Sequence, residues 1–370
     1  MEFNDVRLRY ESLRDEIDSA VRQVLRGGTY ILGPSVRAFE RAFAGFCGAA
    51  EGIAVGSGTD ALAIALRALG IQPADEVLVP AVSAAATAMA AALVGAKPVF
   101  VDISPDNFCM DPANAADRKT GRTRAVVPVH LYGMPARLEE LGQLGLPIVE
   151  DAAQAHGSGT SSGRCGSLGA AAAFSFYPTK NMGAFGDGGM IVTSDAEMAD
   201  RCRLLRNYGQ RDTYASEMLG QNSRLDELHA AVLGIQLRKL AEWNNRRRGI
   251  AARYREAFAD LPLGIQAETG TSCCHLFVVT TPQRDRMRSF LASRDIPTLI
   301  HYPIPLHRQK AFAEFNPAPC PTADLVCSQV LSLPIHPFLS AAEAERVIDA
   351  VREYFKESGI QNSESGIRRQ

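Results

Sequence analysis

A lysine at the end of an apolar strand can act as a carbonyl-attacking amine when its surroundings favour the neutral form. One segment offers such a lysine: Ala172-Ala-Phe-Ser175-Phe-Tyr177-Pro-Thr-Lys180-Asn-Met-Gly-Ala-Phe-Gly186-Asp-Gly188-Gly189. It reads as a buried strand that delivers Ser175 and then Lys180 into a crevice. A glycine-rich loop and a second strand, Met190–Thr193, follow. Glu150-Asp151-Ala-Ala-Gln154-Ala-His156 comes directly after the apolar run Leu146–Val149. A carboxylate there faces the same crevice and needs a partner, because burying a lone charge is costly. Gly56-Ser-Gly58-Thr-Asp-Ala61 follows a strand and opens a helix. Its glycines let backbone amides approach an anion at a positive helix terminus.

Each feature alone has a plainer reading: a solvated lysine, a helix-capping aspartate, an empty glycine turn. Together they suit pyridoxal 5′-phosphate. The phosphate of that cofactor needs N–H and hydroxyl donors, offered by Gly58, Thr59 and Ser175. Its ring nitrogen needs a carboxylate to stay protonated, and Asp151 fits. Its aldehyde needs a lysine, and Lys180 fits. The charge-assisted bond from ring nitrogen to carboxylate contributes about 1.5–3 kcal/mol.

Two other motifs fail on context. A dinucleotide site would need an acidic residue ending the strand after the glycine loop. That strand ends in Pro80-Ala81, with Glu76 at its other end. Gly159-Thr-Ser161-Ser-Gly163 has the spacing of a hydrolase nucleophile elbow, but no strand precedes it and no helix follows. It reads as a polar hairpin turn.

The elements that would position these residues alternate along the chain. Strand-like runs occur at Gly52–Val55, Val77–Ala81, Pro98–Ile103, Ala125–Leu131, Leu146–Val149, Ala172–Phe176 and Gly189–Thr193. Helix-compatible stretches such as Asp60–Leu69 and Thr87–Leu93 separate them. This predicts an α/β domain with a mixed, mostly parallel sheet buried on both faces. Asp226–Trp243 reads as one strong helix, and the basic run Arg246–Arg248 after it as a solvated face. Beyond it the pattern predicts a smaller α+β unit, with strands His275–Thr280 and Thr298–Tyr302 around a helix Asp285–Arg294. Ser340 and Glu343 stand at capping-box spacing before a helix Ala344–Phe355. The expected division is a large domain over 1–245, a small domain over 246–355 and a frayed tail over 356–370.

With 370 residues, 46% apolar and 22% charged, the chain has the balance of a globular protein. Lys and Arg number 39 against 41 Asp and Glu, which argues against a nucleic-acid binder. The uncharged stretch Val77–Ala96 is mostly alanine and holds Pro80, so a strand and a buried helix are expected rather than a membrane span. The polar start MEFNDVRLRYE predicts no signal peptide. Eight cysteines without zinc-site spacing predict reduced thiols, no metal and a cytoplasmic location.

The ordered motifs resemble the DegT/DnrJ/EryC1/StrS family of sugar-nucleotide aminotransferases. The resemblance runs from Tyr30-Ile-Leu-Gly-Pro34 and Phe39-Glu40 through Gly56-Ser-Gly-Thr-Asp-Ala-Leu62 and Gly95-Ala-Lys-Pro-Val-Phe-Val-Asp102. It takes in the Asp151 and Lys180 segments already quoted. Asn222-Ser-Arg-Leu-Asp-Glu227, His301-Tyr-Pro-Ile-Pro-Leu-His307 and Leu333-Pro-Ile-His-Pro337 complete it.

The resemblance implies the fold-type I aminotransferase fold. It implies Lys180 as Schiff-base lysine and proton carrier, Asp151 at the pyridine nitrogen, and Gln154 at the phenolic oxygen. Gly58, Thr59 and Ser175 would hold the phosphate. Asn222 would reach the cofactor of the neighbouring subunit in a homodimer with shared sites; from the residues alone it reads as a helix cap. The expected reaction is amination at C-3 of a dTDP-3-keto-6-deoxyhexose with L-glutamate as donor, for antibiotic or surface glycans. Tyr177, His301, Tyr302 and His307 are the candidate substrate contacts.

Other activities open on the same fold are C-4 amination of a UDP-4-keto sugar, a cyclitol aminotransferase and a non-catalytic cofactor-binding regulator. A nicotinamide-dependent dehydrogenase would leave Lys180 and Asp151 unexplained. Two positions depart from the family pattern. Ala84 stands where an aromatic ring usually stacks on the cofactor, which predicts looser cofactor retention. His229 stands where glutamine is common, with little change expected.

Overall fold

The computed structural model describes residues 1–212 and 214–358. The first unit includes the strands β1 (Glu51–Val55), β2 (Glu76–Pro80), β3 (Lys97–Val101), β4 (Thr123–Val126), β5 (Val149–Asp151), β6 (Gly159–Thr160), β7 (Gly163–Arg164), β8 (Ala171–Ser175) and β9 (Gly189–Thr193). Parallel ladders join β3-β2-β4, and a second set runs β5-β8-β9-β1. Parallel bridges Val126–Ile148 and Val129–Asp151 link the two. The result is a seven-stranded mixed sheet in which β9 alone runs antiparallel to its neighbours. β6 and β7 are the polar hairpin expected at Gly159–Gly163.

Strands buried on both faces carry little alternation, and β2, β8 and β9 are buried throughout or nearly so. The helix Gly58–Ala68 packs against β8 and β9, and the helix Ala86–Leu93 against β2 and β3. Ala88, Ala90 and Ala91 are fully buried there, as the small side chains of the uncharged stretch suggested. The helix Pro34–Cys47 contributes to a second cluster, where Phe39 and Phe43 meet Phe174 and Phe176. Crossover helices on both sides leave the carboxyl ends of β1, β5 and β8 open as a crevice.

Four readings need correction. Asp226–Trp243 is two helices, Glu227–Leu237 and Leu240–Ala257, broken at Arg238 and Lys239. The first packs on the helix Pro34–Cys47 and the second carries Ile250, Ala251 and Tyr254 into another core, which one straight helix could not do. Arg247 is buried rather than solvated, and its Nη1 donates to Ile335 O at 2.8 Å. Thr298–Tyr302 forms only the single bridge Leu299–Ser332, because Pro297 and Pro303 limit the ladder on either side. Leu146–Val149 is strand only at Val149, so Asp151 ends β5 instead of following it.

A second sheet, of strands Gly264–Ile265, Phe277–Thr280 and Val330–Leu333 in that order, is antiparallel. Its core includes Met287, Leu291, Val347 and Val351 from the helices Arg284–Ala292 and Ala341–Ser358. The capping box forms, with Ser340 N and Oγ both 2.9 Å from Glu343 Oε2. The division expected at 245/246 falls inside the helix Leu240–Ala257. Lys356–Ser358 complete the last helix, and the rest of the expected tail lies outside the described residues. Among the described residues no helix is long and apolar enough to cross a membrane.

Candidate active site

β1 ends at Val55 and the helix Gly58–Ala68 begins three residues later. Ser57 caps it by accepting Asp60 N–H at 3.0 Å. The first amides of a helix have no intrahelical acceptor, and those of Gly58 and Thr59 find none among the other described residues. A Cβ on Gly58 would lie 2.8 Å from Ser175 Cβ, so only glycine brings this terminus against the end of β8. Two amides without a partner among the described residues thus sit beside the Ser175 hydroxyl, a cradle of donors of the kind that an anion at a helix N-terminus needs.

Asp60 ties a distant segment to this cradle. Its Oδ2 accepts from Ser223 Oγ at 2.7 Å and its Oδ1 from Gln221 Nε2 at 3.3 Å, while Ser223 Oγ also accepts Gly56 N–H at 2.9 Å. Asn222 lies between them and bridges Asn207 through its backbone. It is not a helix cap: the next helix starts at Glu227 after Asp226.

Asp151 is buried at the carboxyl end of β5. Thr87 Oγ1 donates to its Oδ2 at 2.7 Å and shares a 2.8 Å hydrogen bond with Ser83 Oγ. Ala153 N–H reaches Oδ1 at 3.2 Å. Burial raises the carboxyl above its ordinary value, while Thr87, the Ala153 amide and then Lys180 pull it down. Such a carboxylate welcomes a cationic partner. Gln154 is fixed by its ends: Oε1 accepts Tyr132 N–H at 2.6 Å and Nε2 donates to Tyr302 Oη at 2.9 Å. One hydrogen on Nε2 stays available.

Lys180 is half-buried, and its Nζ makes no hydrogen bond to any described residue. Burial lowers its ammonium to about 8, against the pull of Asp151. At pH 7 about one amine in ten is then neutral, a several-hundred-fold gain over an ordinary lysine. Three imidazoles around it are held neutral by burial first and by the Lys180 charge second: His156 down to about 3, His301 down to about 4, and His275 well below its usual range.

The candidate substrate contacts divide. Tyr302 reaches the site through Gln154. His301 bonds Ser332 Oγ through Nδ1 at 2.9 Å, and its carbonyl accepts from Tyr132 Oη. Tyr177 follows Ser175 and is half exposed at the mouth. His307 is not brought to Lys180 or Asp151; its Nε2 lies 3.3 Å from Asp324 Oδ1.

The model of the DegT/DnrJ/EryC1/StrS aminotransferase family matches residues 11–352. The chain belongs to this family. It is 49% identical over 361 residues to the Streptomyces venezuelae dTDP-3-amino-3,4,6-trideoxy-alpha-D-glucose transaminase, covering 95% of each chain. The solved structure of S. venezuelae DesV in complex with a ketimine intermediate superposes with a TM-score of 0.93 at 49% identity, over 95% of this chain and 98% of that one. Bacillus subtilis NtdA with bound cofactor PMP gives a TM-score of 0.88 at 29% identity, over 93% and 82%. The protein is an aminotransferase on the fold-type I scaffold.

Sequence reasoning missed several parts of this aminotransferase's site. Thr87 and Tyr132 carry no motif signal, since each acts through one hydrogen bond to Asp151 or Gln154. Asn181 was visible as the neighbour of Lys180, but its role depends on the fold. Its Nδ2 donates to Asn244 Oδ1 and Cys273 O, both at 3.0 Å, and its Oδ1 faces His275 Nδ1 at 3.0 Å. His229 lies against the glycine loop that follows Lys180, where a Cβ on Gly186 would meet its Cε1 at 2.9 Å. The buried group His130, Glu150 and Cys165 resembles a ligand set, but the Glu150 oxygens already accept from Gly166, Leu168, Gly169 and His130.

Proposed function

We propose that this aminotransferase transfers the amino group of L-glutamate to C-3 of a dTDP-3-keto-6-deoxyhexose, using pyridoxal 5′-phosphate. The observation that carries the reading is Lys180, an amine without a hydrogen-bond partner among the described residues, lowered to about 8 in a crevice shared with Asp151 and the Gly58 helix terminus. The PMP-bound relative supports the cofactor. The 3-amino sugar in the name of the S. venezuelae relative supports the regiochemistry.

When bound, the cofactor supplies an aldehyde that takes up the amino group and a ring that accepts an electron pair. The amides of Gly58 and Thr59 and the hydroxyl of Ser175 hold its phosphate. Asp151 keeps a proton on its ring nitrogen, and Thr87 keeps Asp151 ionised. Gln154, with its carbonyl held by Tyr132, presents an N–H to the phenolic oxygen. Lys180 Nζ would be the base that takes and returns the proton at the substrate carbon in both half-reactions. Residues 1–245 carry these contacts, and residues 246–355 add His301 and Tyr302 to the wall where the sugar binds. Tyr177 contacts the substrate from the mouth.

The protein acts in the cytoplasm as a homodimer with shared sites. Tyr30, Ile31, Phe185 and Tyr208 are large apolar side chains left more than two-fifths exposed, as an interface requires. Asn222 reaches the partner's cofactor phosphate from the segment that Asp60 holds.

The test is spectroscopic. Purified protein with pyridoxal 5′-phosphate is titrated with L-glutamate and then with dTDP-3-keto sugars, UDP-4-keto sugars and a cyclitol ketone. Glutamate is expected to discharge the visible band, and a dTDP-3-keto sugar to restore it. Restoration by another acceptor alone would overturn the substrate assignment, and a band that glutamate leaves unchanged would overturn the donor assignment.

A further inference from the structure

The loop from Pro178 to Gly183 has no regular secondary structure, so its carbonyls need donors from elsewhere. Most come from the N-terminal segment. Arg9, 4% exposed, sends Nη2 to Lys180 O at 2.7 Å and Nη1 to Pro178 O at 3.1 Å and Gly183 O at 3.3 Å. Asn4 Nδ2 reaches Thr179 O at 3.0 Å. Gln236 Nε2 adds a bond to Gly183 O at 2.9 Å.

The fit is close. A Cβ on Gly183 would lie 2.7 Å from Arg9 Nη1, so glycine there admits the guanidinium. Trp243 flanks the guanidinium at 5.8 Å from its ring centroid. No carboxylate pairs with Arg9 among the described residues. A buried cation that bonds only to carbonyls of one loop is not there as half of an ion pair. A planar fork that reaches three carbonyls at once is also something lysine cannot reproduce.

We propose that Arg9 is a positioning residue for Lys180, acting through the backbone carbonyls of Pro178, Lys180 and Gly183 to hold the amine in its partly desolvated place. The proposal rests on reading Lys180 as the reactive amine. It assigns the N-terminal helix Val6–Glu11 a part in the chemistry of a lysine some 170 positions further along. Without Arg9 the loop relaxes, Lys180 gains water, and its proton is held more tightly.

The experiment labels the cofactor-free full chain with trinitrobenzenesulfonate from pH 6 to pH 11 and quantifies modification of Lys180 by peptide mass spectrometry. Wild type is expected to reach half-maximal reactivity near pH 8. Arg9→Met is expected to move that midpoint up by about one unit or more. Guanidinium at tens of millimolar is expected to bring it back. Arg9→Lys should fall between the two. Circular dichroism establishes that each variant is folded. If Arg9→Met does not fold, Arg9→Gln, which keeps one amide donor, is measured in the same way.

A folded Arg9→Met or Arg9→Gln protein with the wild-type midpoint would overturn the proposal. So would a shift that guanidinium cannot reverse while Arg9→Lys behaves as wild type, because bare charge would then suffice. Failure of the underlying reading looks different. Wild type would then form no Lys180-dependent absorption band with pyridoxal 5′-phosphate, whatever the labelling comparison shows.

Discussion

Thr87 and Asp151 are joined by a 2.7 Å hydrogen bond in which the threonine hydroxyl donates to Oδ2. Because a donor favours the ionised carboxylate, Thr87 offsets part of the burial that raises Asp151. The chain continues to Ser83 Oγ at 2.8 Å, so the second hydroxyl fixes the rotamer of the first. Thr87→Val keeps the shape and removes the donor. Asp151 should then hold its proton to higher pH. The acid limb of the pH–rate profile should move up, and kcat/KM at neutral pH should fall about tenfold, as for one lost charge-assisted bond. Steady-state rates from pH 5 to pH 9 check this; a profile that keeps its acid limb would show that Asp151 does not need Thr87.

Lys180 must be neutral to attack an aldehyde. With its value lowered to about 8, the rate of cofactor uptake by the apo-protein should rise about tenfold per pH unit below 8 and level off above it. Stopped-flow absorbance against pH measures this directly. A midpoint near the ordinary lysine value would contradict the half-buried setting. Lys180→Ala should lose the visible band and transamination entirely.

The same shift makes Lys180 a cost to stability. Below pH 8 the amine is protonated in both folded and unfolded chains, and the folded chain keeps a charge in a poorly hydrated place. From pH 8 to about 10.5 the unfolded chain binds more proton, so this part of the stability rises with pH. Lys180→Met should therefore melt higher than wild type at pH 7, and the gap should narrow as pH passes 8. Calorimetry of the cofactor-free proteins at pH 7 and pH 9 tests both statements. A wild type that melts higher than the variant at pH 7 would show that Lys180 has a stabilising partner.

The strands around the site were legible because β8 and β9 are apolar runs preceded by glycines, Gly169 and Gly188, and Gly189–Thr193 appears with the expected bounds. Asp151 and the Gly58 terminus were legible because each sits at a strand or helix end, and Lys180 because it stands in the glycine-rich loop that follows β8. Tertiary partners were not. Arg9 lies on a short polar helix, and Arg247 within a basic run, yet both are buried against carbonyls that only the fold supplies. The break at Arg238–Lys239 left no glycine or proline to announce it. It is imposed by two cores that lie in different directions from one continuous apolar pattern.

Gly58 offers a test of the cradle itself. Alanine there would place Cβ 2.8 Å from Ser175 Cβ, and a Cβ is fixed by its own backbone, unlike the far end of a flexible side chain. Helix propensity would favour the change, so any loss is steric. Gly58→Ala should cost about 1–3 kcal/mol of stability from overpacking. It should also push the helix terminus away from Ser175 and weaken pyridoxal 5′-phosphate binding more than tenfold. Equilibrium dialysis beside denaturant titration separates the two effects. Unchanged affinity in a folded variant would place the phosphate elsewhere.

Ala84 decides how firmly the cofactor is kept. It lies half-buried just ahead of the helix Ala86–Leu93, and its carbonyl accepts Thr87 N–H at 3.3 Å. The position is thus tied to the same threonine that holds Asp151. With Asp151 at the cofactor's ring nitrogen as proposed, the family resemblance places a ring at this position over the cofactor. Aromatic stacking adds about 0.5–1.5 kcal/mol beyond area burial, so Ala84→Tyr should tighten pyridoxal 5′-phosphate by about tenfold at most. The gain should appear as slower cofactor loss on dialysis, with the pH midpoint of uptake unchanged because Lys180 is untouched. A variant that loses cofactor as fast as wild type would mean that another side chain already covers that face. In that case Tyr302, anchored through Gln154 at 2.9 Å, is the residue to replace next.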